Sequence, residues 1–552
     1  MTEPPARPEH PRVQALLSGV PRDARRVVER ADAPTGFAEA YRAHAPQAAV
    51  ETYGPDADLP HPAVDDPKQA GAPAADALVY PDAIARAGDP VARLRADLPA
   101  LADGGTVVAV LPNAQHWRRL QQTLTGDWRY ETGPPLLTPG GHAFTAATIR
   151  ELLGRAGLHG GAVHPVVDPQ EDRPAANAAI ERLARATGED IDRVRARSRP
   201  ESFLVIATRR KPRPLQLQAM TLRPQGACIE VRVSEPMAAL ATRPEVRVRV
   251  QRQTAKLDRD PNKPDKIFFW QRPILTWDQL DNVRRLIDAG YLVVTEFDDH
   301  PMRWPAIEEN AYLSFRAVHA VQTSTPALAG VLGALNPTVG TFPNGVAKLP
   351  PPPEALPADA PVRVFFGALN RAEDWRPMVA AINAVLARHP GRLHVEVIHD
   401  RAFFDALETP DKTFTPTCGY ETYKAILGRC QLALMPLEAG TFNAMKSDLK
   451  FVEAAAHGAV ALASPTVYAE TIRDGETGMI CQSPEAFADA LEALARDPER
   501  RLRIARAAWE WVRDNRMLAY QIGPRLAWYR DLLARRQELS EALYERVPRL
   551  RP

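Results

Sequence analysis

From residue 362 onward, short apolar runs alternate with amphipathic stretches at regular spacing. VRVFF (362–366) reads as a strand ended by Gly367, and WRPMVAAINAVLARHPG as an amphipathic helix stopped by Pro390 and Gly391. LHVEVIH, QLALMPL and AVALAS read as further strands, and ETYKAILGRC, KSDLKFVEAAAHG and PEAFADALEALARD as helices. Unbroken apolar strands joined by helices of this length predict βαβ units around a buried parallel sheet.

The same alternation recurs more raggedly between about 215 and 345, in KIFFWQ, LDNVRRLIDAG, YLVVTEF and AVQTST. Before residue 213 its clearest elements are TVVAVLP, TAATIRELLGRAG and ESFLVIATRR, and the stretch from about 505 to 548 is helical and Arg-rich. Prolines cluster between Pro55 and Asp76 and in LPPPPEALPADAP, 349–361. Four consecutive prolines fit neither a helix interior nor a central strand, so 349–361 is expected to be a linker. The pattern predicts an α/β protein of three Rossmann-like domains: 1–212, 213–348 and 362–510, with a helical tail over 511–552.

Length agrees with several domains, because one core stops growing near ~250–300 residues and this chain has 552. With 69 basic and 68 acidic residues, the formal net charge is +1. That balance removes the electrostatic case for nucleic acid or an anionic membrane as partner. Cys228, Cys418, Cys430 and Cys481 are far apart with no metal-ligand spacing, and read as free thiols in a reducing compartment. The opening MTEPPARPEHPRVQ has no apolar core of a secretory signal, and no apolar run reaches the ~18 residues of a membrane span. A cytoplasmic protein without a structural metal is the expectation.

Candidate chemistry concentrates in PLEAGTFNAMKSDLKFVEAAAHG. A strand ends at Leu437, a loop carries Thr441, Phe442 and Asn443, and a helix follows whose free N–H groups suit a phosphate. Lys446, Lys450 and Glu453 fall at i, i+4 and i+7, opposite a buried stripe of Leu449, Val452 and Ala456. Two ammonium groups and a carboxylate in that order can hold a diphosphate and then a ribose diol. By spacing alone the same stripe is an ordinary solvated face. The loop GALNRAEDW adds Gly367, Asn370 and Arg371 at another strand end, where a guanidinium can grip phosphate. YLVVTEFDDHP places Asp298, Asp299 and His300 at a third, and QRP (271–273) stands at a fourth.

The order of these motifs resembles the nucleotide-sugar half of family-4-type GT-B glycosyltransferases (glycosyl transferases group 1). The small-residue strand leads into a turn with Asp474, Gly475, Thr477 and Gly478, and Pro343-Asn344-Gly345 resembles the family's turn into the interdomain linker. The resemblance implies that 213–348 and 362–510 form a GT-B pair, acceptor side and donor side. Glu453 matches the second glutamate of the family's Glu-x7-Glu motif, which binds the donor ribose; Met445 stands where the first belongs. Arg371 matches the basic residue that neutralises the leaving diphosphate. The implied catalytic set is Arg371, Lys446, Lys450, Glu453, Asp299 and His300. Gly367, Asn370, Thr441, Phe442, Asn443 and Ser447 would bind the donor, with no metal.

ALADGGTVVAVLPNAQHWRRLQQTLTGDWRYETGPPLLTPGGHAFTAATIRELLGRAGL resembles the second half of a class I S-adenosylmethionine methyltransferase. Gly104, Gly105, Pro112, Asn113, Trp128 and His142 carry the likeness. The cofactor half does not follow it. Ala31, Ala33 and Thr35 stand at the expected loop glycines, Gly54 at the ribose-binding acid, and Ala85-Arg86 at an acid–His pair. A side chain at those loop positions blocks the close backbone approach that a cofactor needs. The sequence thus implies a methyltransferase-shaped domain without S-adenosylmethionine, ahead of a retaining glycosyltransferase with no permanently bound cofactor. The implied partners are a nucleotide sugar and an acceptor glycan, lipid-linked glycan or surface protein such as flagellin. A bifunctional methyltransferase–glycosyltransferase and an inactive glycan- or protein-binding scaffold are the alternatives, the vacancy at Met445 favouring the scaffold.

Overall fold

A computed structural model describes residues 10–60, 73–126, 141–168, 173–221, 227–260, 265–357, 360–369 and 371–552. The chain divides into two compact units, Met1–Pro214 with Leu240–Val246, and Leu215–Ala239 with Arg247–Pro552. Among the described residues the strands make three six-stranded sheets. Trp128 lies outside the described residues.

The sheet of the first unit runs Ala49–Tyr53, Arg26–Arg30, Ala75–Tyr80, Leu101–Pro112, Ser202–Thr208, His159–Val166. The first four strands are parallel, and Ser202–Thr208 is antiparallel to both its neighbours. Arg26–Arg30 is buried along its whole length although three of its five residues are charged. Each charge therefore has a partner, as burial demands. Arg26 pairs with Glu51 at 2.9 Å, and Glu29 accepts from Thr52 at 3.1 Å and from Thr35. Arg30 grips both oxygens of Asp97 at 2.6 Å. His142 donates its backbone N–H to the Ala85 carbonyl at 2.6 Å.

The second unit holds two sheets. One runs Val339–Thr341, Ala320–Thr323, Leu292–Glu296, Lys266–Gln271, Leu215–Thr221, Val246–Arg252. The other runs Lys412–Thr415, Leu393–Ile398, Val362–Gly367, Leu432–Met435, Val460–Ala463, Met479–Ile480, all parallel. Its order reverses between Val362–Gly367 and Leu432–Met435. The loops leaving two neighbouring strand ends there diverge to opposite faces and open a crevice.

Two expectations are corrected. KSDLKFVEAAAHG is expected as one helix; instead a one-turn helix Thr441–Ala444 ends ahead of it, residues 445–448 are not helical, and the helix spans Leu449–Ala456. Lys446 is thus off the helix, and the face shared by Lys446, Lys450 and Glu453 does not exist. The expected border at 510–511 falls inside the helix Pro498–Asn515. The following helices, Ala519–Ala534 and Arg536–Arg546, pack on the other sheet of the unit: Leu543, Val547 and Leu550 belong to its apolar core, and Tyr529 stands edge-on to Phe269 at 5.1 Å. Residues 349–357 form neither helix nor strand. They are held in place, with Trp509 donating to the Pro350 carbonyl at 3.0 Å. A Cβ on Gly458 (φ 80°) would meet Pro353 at 2.8 Å.

Leu543 is fully buried. Leu543→Ala should cost about 3 kcal/mol and Leu543→Met less than about 1.5 kcal/mol. Calorimetry should show the loss in the transition of the second unit while that of the first stays in place.

Candidate active site

The crevice is built from strand ends of both sheets in the second unit. Gly367 ends its strand where a Cβ would meet Phe365 at 2.7 Å and Tyr423 at 3.1 Å, so the backbone passes close beneath these rings. Arg371 precedes the helix Ala372–Arg388 and donates to Asp374 at 3.1 Å and to Asn443 at 3.0 Å. Asp374 in turn accepts the Glu438 N–H at 2.8 Å, which ties the two diverging loops together. Lys450, in the first turn of Leu449–Ala456, donates to the Gly367 carbonyl.

Glu453 lies one turn further, 5% exposed, on a helix otherwise lined by Phe451, Val452 and alanines. Tyr420 donates to its Oε1 at 2.8 Å and Tyr423 to its Oε2 at 3.3 Å. Burial pushes its carboxyl up to about 7, against the pull of both tyrosines and Lys450. Burial, with the Arg371 charge, brings the Lys450 ammonium down to about 8.

Across the crevice, Asp298, Asp299 and His300 follow the strand Leu292–Glu296. Arg272, in left-handed backbone (φ 43°) after Lys266–Gln271, pairs with Asp298 at 2.6 Å and stacks 5.7 Å from the Trp304 ring centre. Asp299 accepts from Lys446 at 3.1 Å, and Lys446 lies 4.4 Å above the Phe442 ring. His300 caps the turn Pro301–Arg303 through Nδ1 and packs edge-on to Phe442. Asn344 donates to Ser447 at 2.8 Å.

Two adjoining cavities result. One, of about 260 Å³, is lined among others by Glu453, Tyr420, Tyr423, Lys450, His399, Cys228 and Cys418. The other, of about 200 Å³, is lined by Arg272, Asp298, Asp299, Arg371, Lys446 and Tyr468 among others. Ser447, Leu449, Lys450 and Asp298 border both. The fold thus gathers Arg371, Lys446, Lys450, Glu453, Asp299, Gly367 and Ser447 around one divided space. Phe442 and Asn443 support it from behind, through Lys446 and Arg371. Thr441 is exposed, and Asn370 lies outside the described residues. Met445 packs against the apolar core of the facing sheet, and its carbonyl accepts from Thr325 at 3.3 Å.

Several lining residues escaped the sequence reading. Tyr420 and Tyr423 sit at i, i+3 in a helix whose sequence shows an ordinary amphipathic stripe, and only the burial of Glu453 reveals their use. Arg232 is fully buried on a π-helical turn, Glu230–Ser234, with nothing in its sequence to mark it. Among the described residues no three His, Cys, Asp or Glu side chains are grouped to hold a metal ion, and no helix is long and apolar enough to cross a membrane. All four cysteines are free.

Residues 360–497, which carry Arg371, Lys446, Lys450 and Glu453, match the family Glycosyl transferases group 1. This segment is a glycosyltransferase domain. No curated protein matches the chain at a significant level. Among solved structures, S. aureus TarM is 10% identical with a TM-score of 0.38, over 48% of this chain and 55% of TarM. The chain thus spans about half the length of that relative. Anabaena HepE, solved with UDP and glucose, is 13% identical with a TM-score of 0.40, over 57% of this chain and 98% of its own. The sucrose-phosphate synthase of Thermosynechococcus elongatus is 14% identical with a TM-score of 0.41, over 58% and 99%.

Inside the glycosyltransferase domain the raised carboxyl of Glu453 has a consequence for stability. Its pKa of about 7 when folded exceeds the ~4.5 of an exposed glutamate. The stability tied to its neutral form is present below that lower value and is lost as pH rises through about 7. Glu453→Gln removes this loss. Its melting temperature relative to wild type should therefore climb between pH 5 and pH 8, measured by thermal unfolding across that range.

Proposed function

We propose that the chain transfers a sugar from a nucleotide-sugar donor to a glycan or protein acceptor, with retention at the anomeric carbon. The observation that carries this reading is the placement of one buried carboxylate and three cationic side chains of the glycosyltransferase domain around two adjoining cavities that it shares with the facing sheet. The nucleoside would occupy the 260 Å³ cavity with its ribose against Glu453. The diphosphate would lie between Lys450, Arg371 and Lys446, and the sugar would face Asp298 and Asp299 in the smaller cavity; His300, the next residue, borders neither cavity.

The chemistry follows from charge. Breaking the bond between sugar and diphosphate places negative charge on the leaving oxygens, and fixed cations in a partly dry site stabilise that charge more than water does. Arg371 is oriented by Asp374 and Asn443, so its guanidinium needs no reorganisation when charge develops. Lys446 is paired with Asp299 and would exchange that carboxylate for phosphate. In the front-face course that the family resemblance implies, the leaving phosphate assists deprotonation of the acceptor, and no enzymic nucleophile is required. The position of Met445 does not empty the site, because Lys450 and Glu453 both border the larger cavity without it.

The first unit is read as a methyltransferase-shaped module that binds no S-adenosylmethionine. Arg30, 1% exposed, donates to the carbonyls of Gly54 at 2.8 Å and Pro55 at 3.2 Å while paired with Asp97. Its side chain therefore reaches the end of Ala49–Tyr53, where the resemblance would place an acid gripping the cofactor ribose.

A thermal-shift screen of the full chain against UDP-, GDP-, ADP-, TDP- and CMP-sugars and S-adenosylmethionine tests the reading. One nucleotide sugar at 100 times its dissociation constant should stabilise by ~2.7 kcal/mol, with no response to S-adenosylmethionine. Silence from every nucleotide sugar would move the assignment to a binding scaffold. Glu453→Ala and Arg371→Ala should each lower transfer at least ~100-fold, and full activity of either variant would remove that residue from the site. Affinity for the donor should peak between pH 7 and 8, because Glu453 is anionic above about 7 and Lys450 cationic below about 8.

A further inference from the structure

A carboxylate as deeply buried as Glu453 normally has a cation at bonding distance. Lys450, the nearest one on its own helix, gives its ammonium to the Gly367 carbonyl instead. The polar contacts of the carboxylate are the two phenols, one on each oxygen, at 2.8 and 3.3 Å. Both come from one face of the helix Tyr420–Leu427, at i and i+3, with ring centres 6.2 Å apart in a stacked pair. The rings are fixed from outside: Lys424 lies 4.5 Å over Tyr420 and pairs with Glu421 and Glu235, while Tyr423 stands edge-on to Phe365 at 5.3 Å.

An ionised carboxylate offers about two acceptor sites on each oxygen. One site on each is used by a tyrosine, so one on each is left, which complements the two donating hydroxyls of a vicinal diol. We propose that Tyr420 and Tyr423 are positioning residues that hold Glu453 as an anion with its free acceptor sites turned to the donor ribose. This rests on the donor-site reading above. Both phenols are raised above their ordinary range, by burial first and then by Glu453, so they stay protonated donors. The other charged groups acting on Glu453 are Lys450, which favours the anion, and Glu235, which opposes it; Tyr468, which lines the smaller cavity, stays neutral because burial raises it.

The test uses the full chain and its Tyr420→Phe/Tyr423→Phe variant. UDP-glucose and GDP-mannose, whose diphosphates do not titrate in this range, are bound calorimetrically between pH 5.5 and 8.5. Wild-type affinity should fall about tenfold per pH unit below the Glu453 midpoint. In the variant that fall should begin at least about one unit higher, so the ratio of the two dissociation constants is about tenfold or more below pH 6 and shrinks toward one at pH 8.5. A ratio constant across the range is the mark of a merely structural role and overturns the proposal. A second measurement needs no ligand. Replacing both tyrosines should lower the melting temperature more at pH 8 than at pH 5.5, and this difference should vanish in a Glu453→Gln background. Its persistence there overturns the coupling. If wild type binds neither nucleotide sugar while the stability coupling is present, the donor-site reading fails and the tyrosine–carboxylate coupling stands.

Discussion

One ion pair ties together the elements on one wall of the crevice and reaches the other wall through Asn344. Arg232 and Glu296 have side chains 1% exposed and meet at 2.8 Å. Glu296 ends the strand Leu292–Glu296 and accepts from Gln322 on the neighbouring strand, and Tyr529 of a C-terminal helix donates to Gln322 at 2.8 Å. Arg232 donates onward to the Phe342 carbonyl at 2.7 Å and to Asn344 at 2.9 Å, and Asn344 holds Ser447. A buried pair of this kind contributes little net stability over apolar packing, but losing one partner leaves a charge that nothing solvates. Its effect is geometric. It joins the end of one sheet, the turn at Asn344 and the loop before Leu449 by one continuous chain of hydrogen bonds, and Asp298 and Asp299 follow two and three residues after Glu296.

Hydrophobic period marked the central strands of the second unit, KIFFWQ, YLVVTEF and AVALAS among them, but not Leu215–Thr221, Val246–Arg252 or Lys412–Thr415, where polar residues interrupt the apolar ones. It failed where local order departs from period. KSDLKFVEAAAHG has a helical pattern throughout, yet the chain interrupts the helix before Leu449 because Asp448 is held by Thr471 at 2.8 Å and by Arg516. Both partners are distant in sequence, so no local signal reports them. The same limit explains the site. Arg371, Lys450 and Glu453 stand out by type and order. Tyr420, Tyr423, Arg232 and Arg272 acquire their roles only from what folds against them.

In the first unit, polar burial follows a different logic. The strand Arg26–Arg30 takes three charges into a sheet interior and satisfies each from an adjacent strand or helix. Asp97 also accepts from Arg93 at 2.8 Å and from Tyr80 at 2.9 Å, so its carboxylate is saturated by internal donors. Arg30, at the end of that strand, bonds to Asp97 and to the carbonyls of Gly54 and Pro55.

The last two helices of the chain return to the sheet that precedes the linker, and the proline run at 349–357 is bonded to the helix Pro498–Asn515. The half that holds the sheet from Val362 to Ile480 is therefore inserted into the half that precedes it, entered at the prolines and left again near residue 516. An exchange of that half for another would need two junctions, one at each crossing, and both must preserve the contacts of Trp509 and Asp448. A single recombination point would separate the other half from the helices that complete its core.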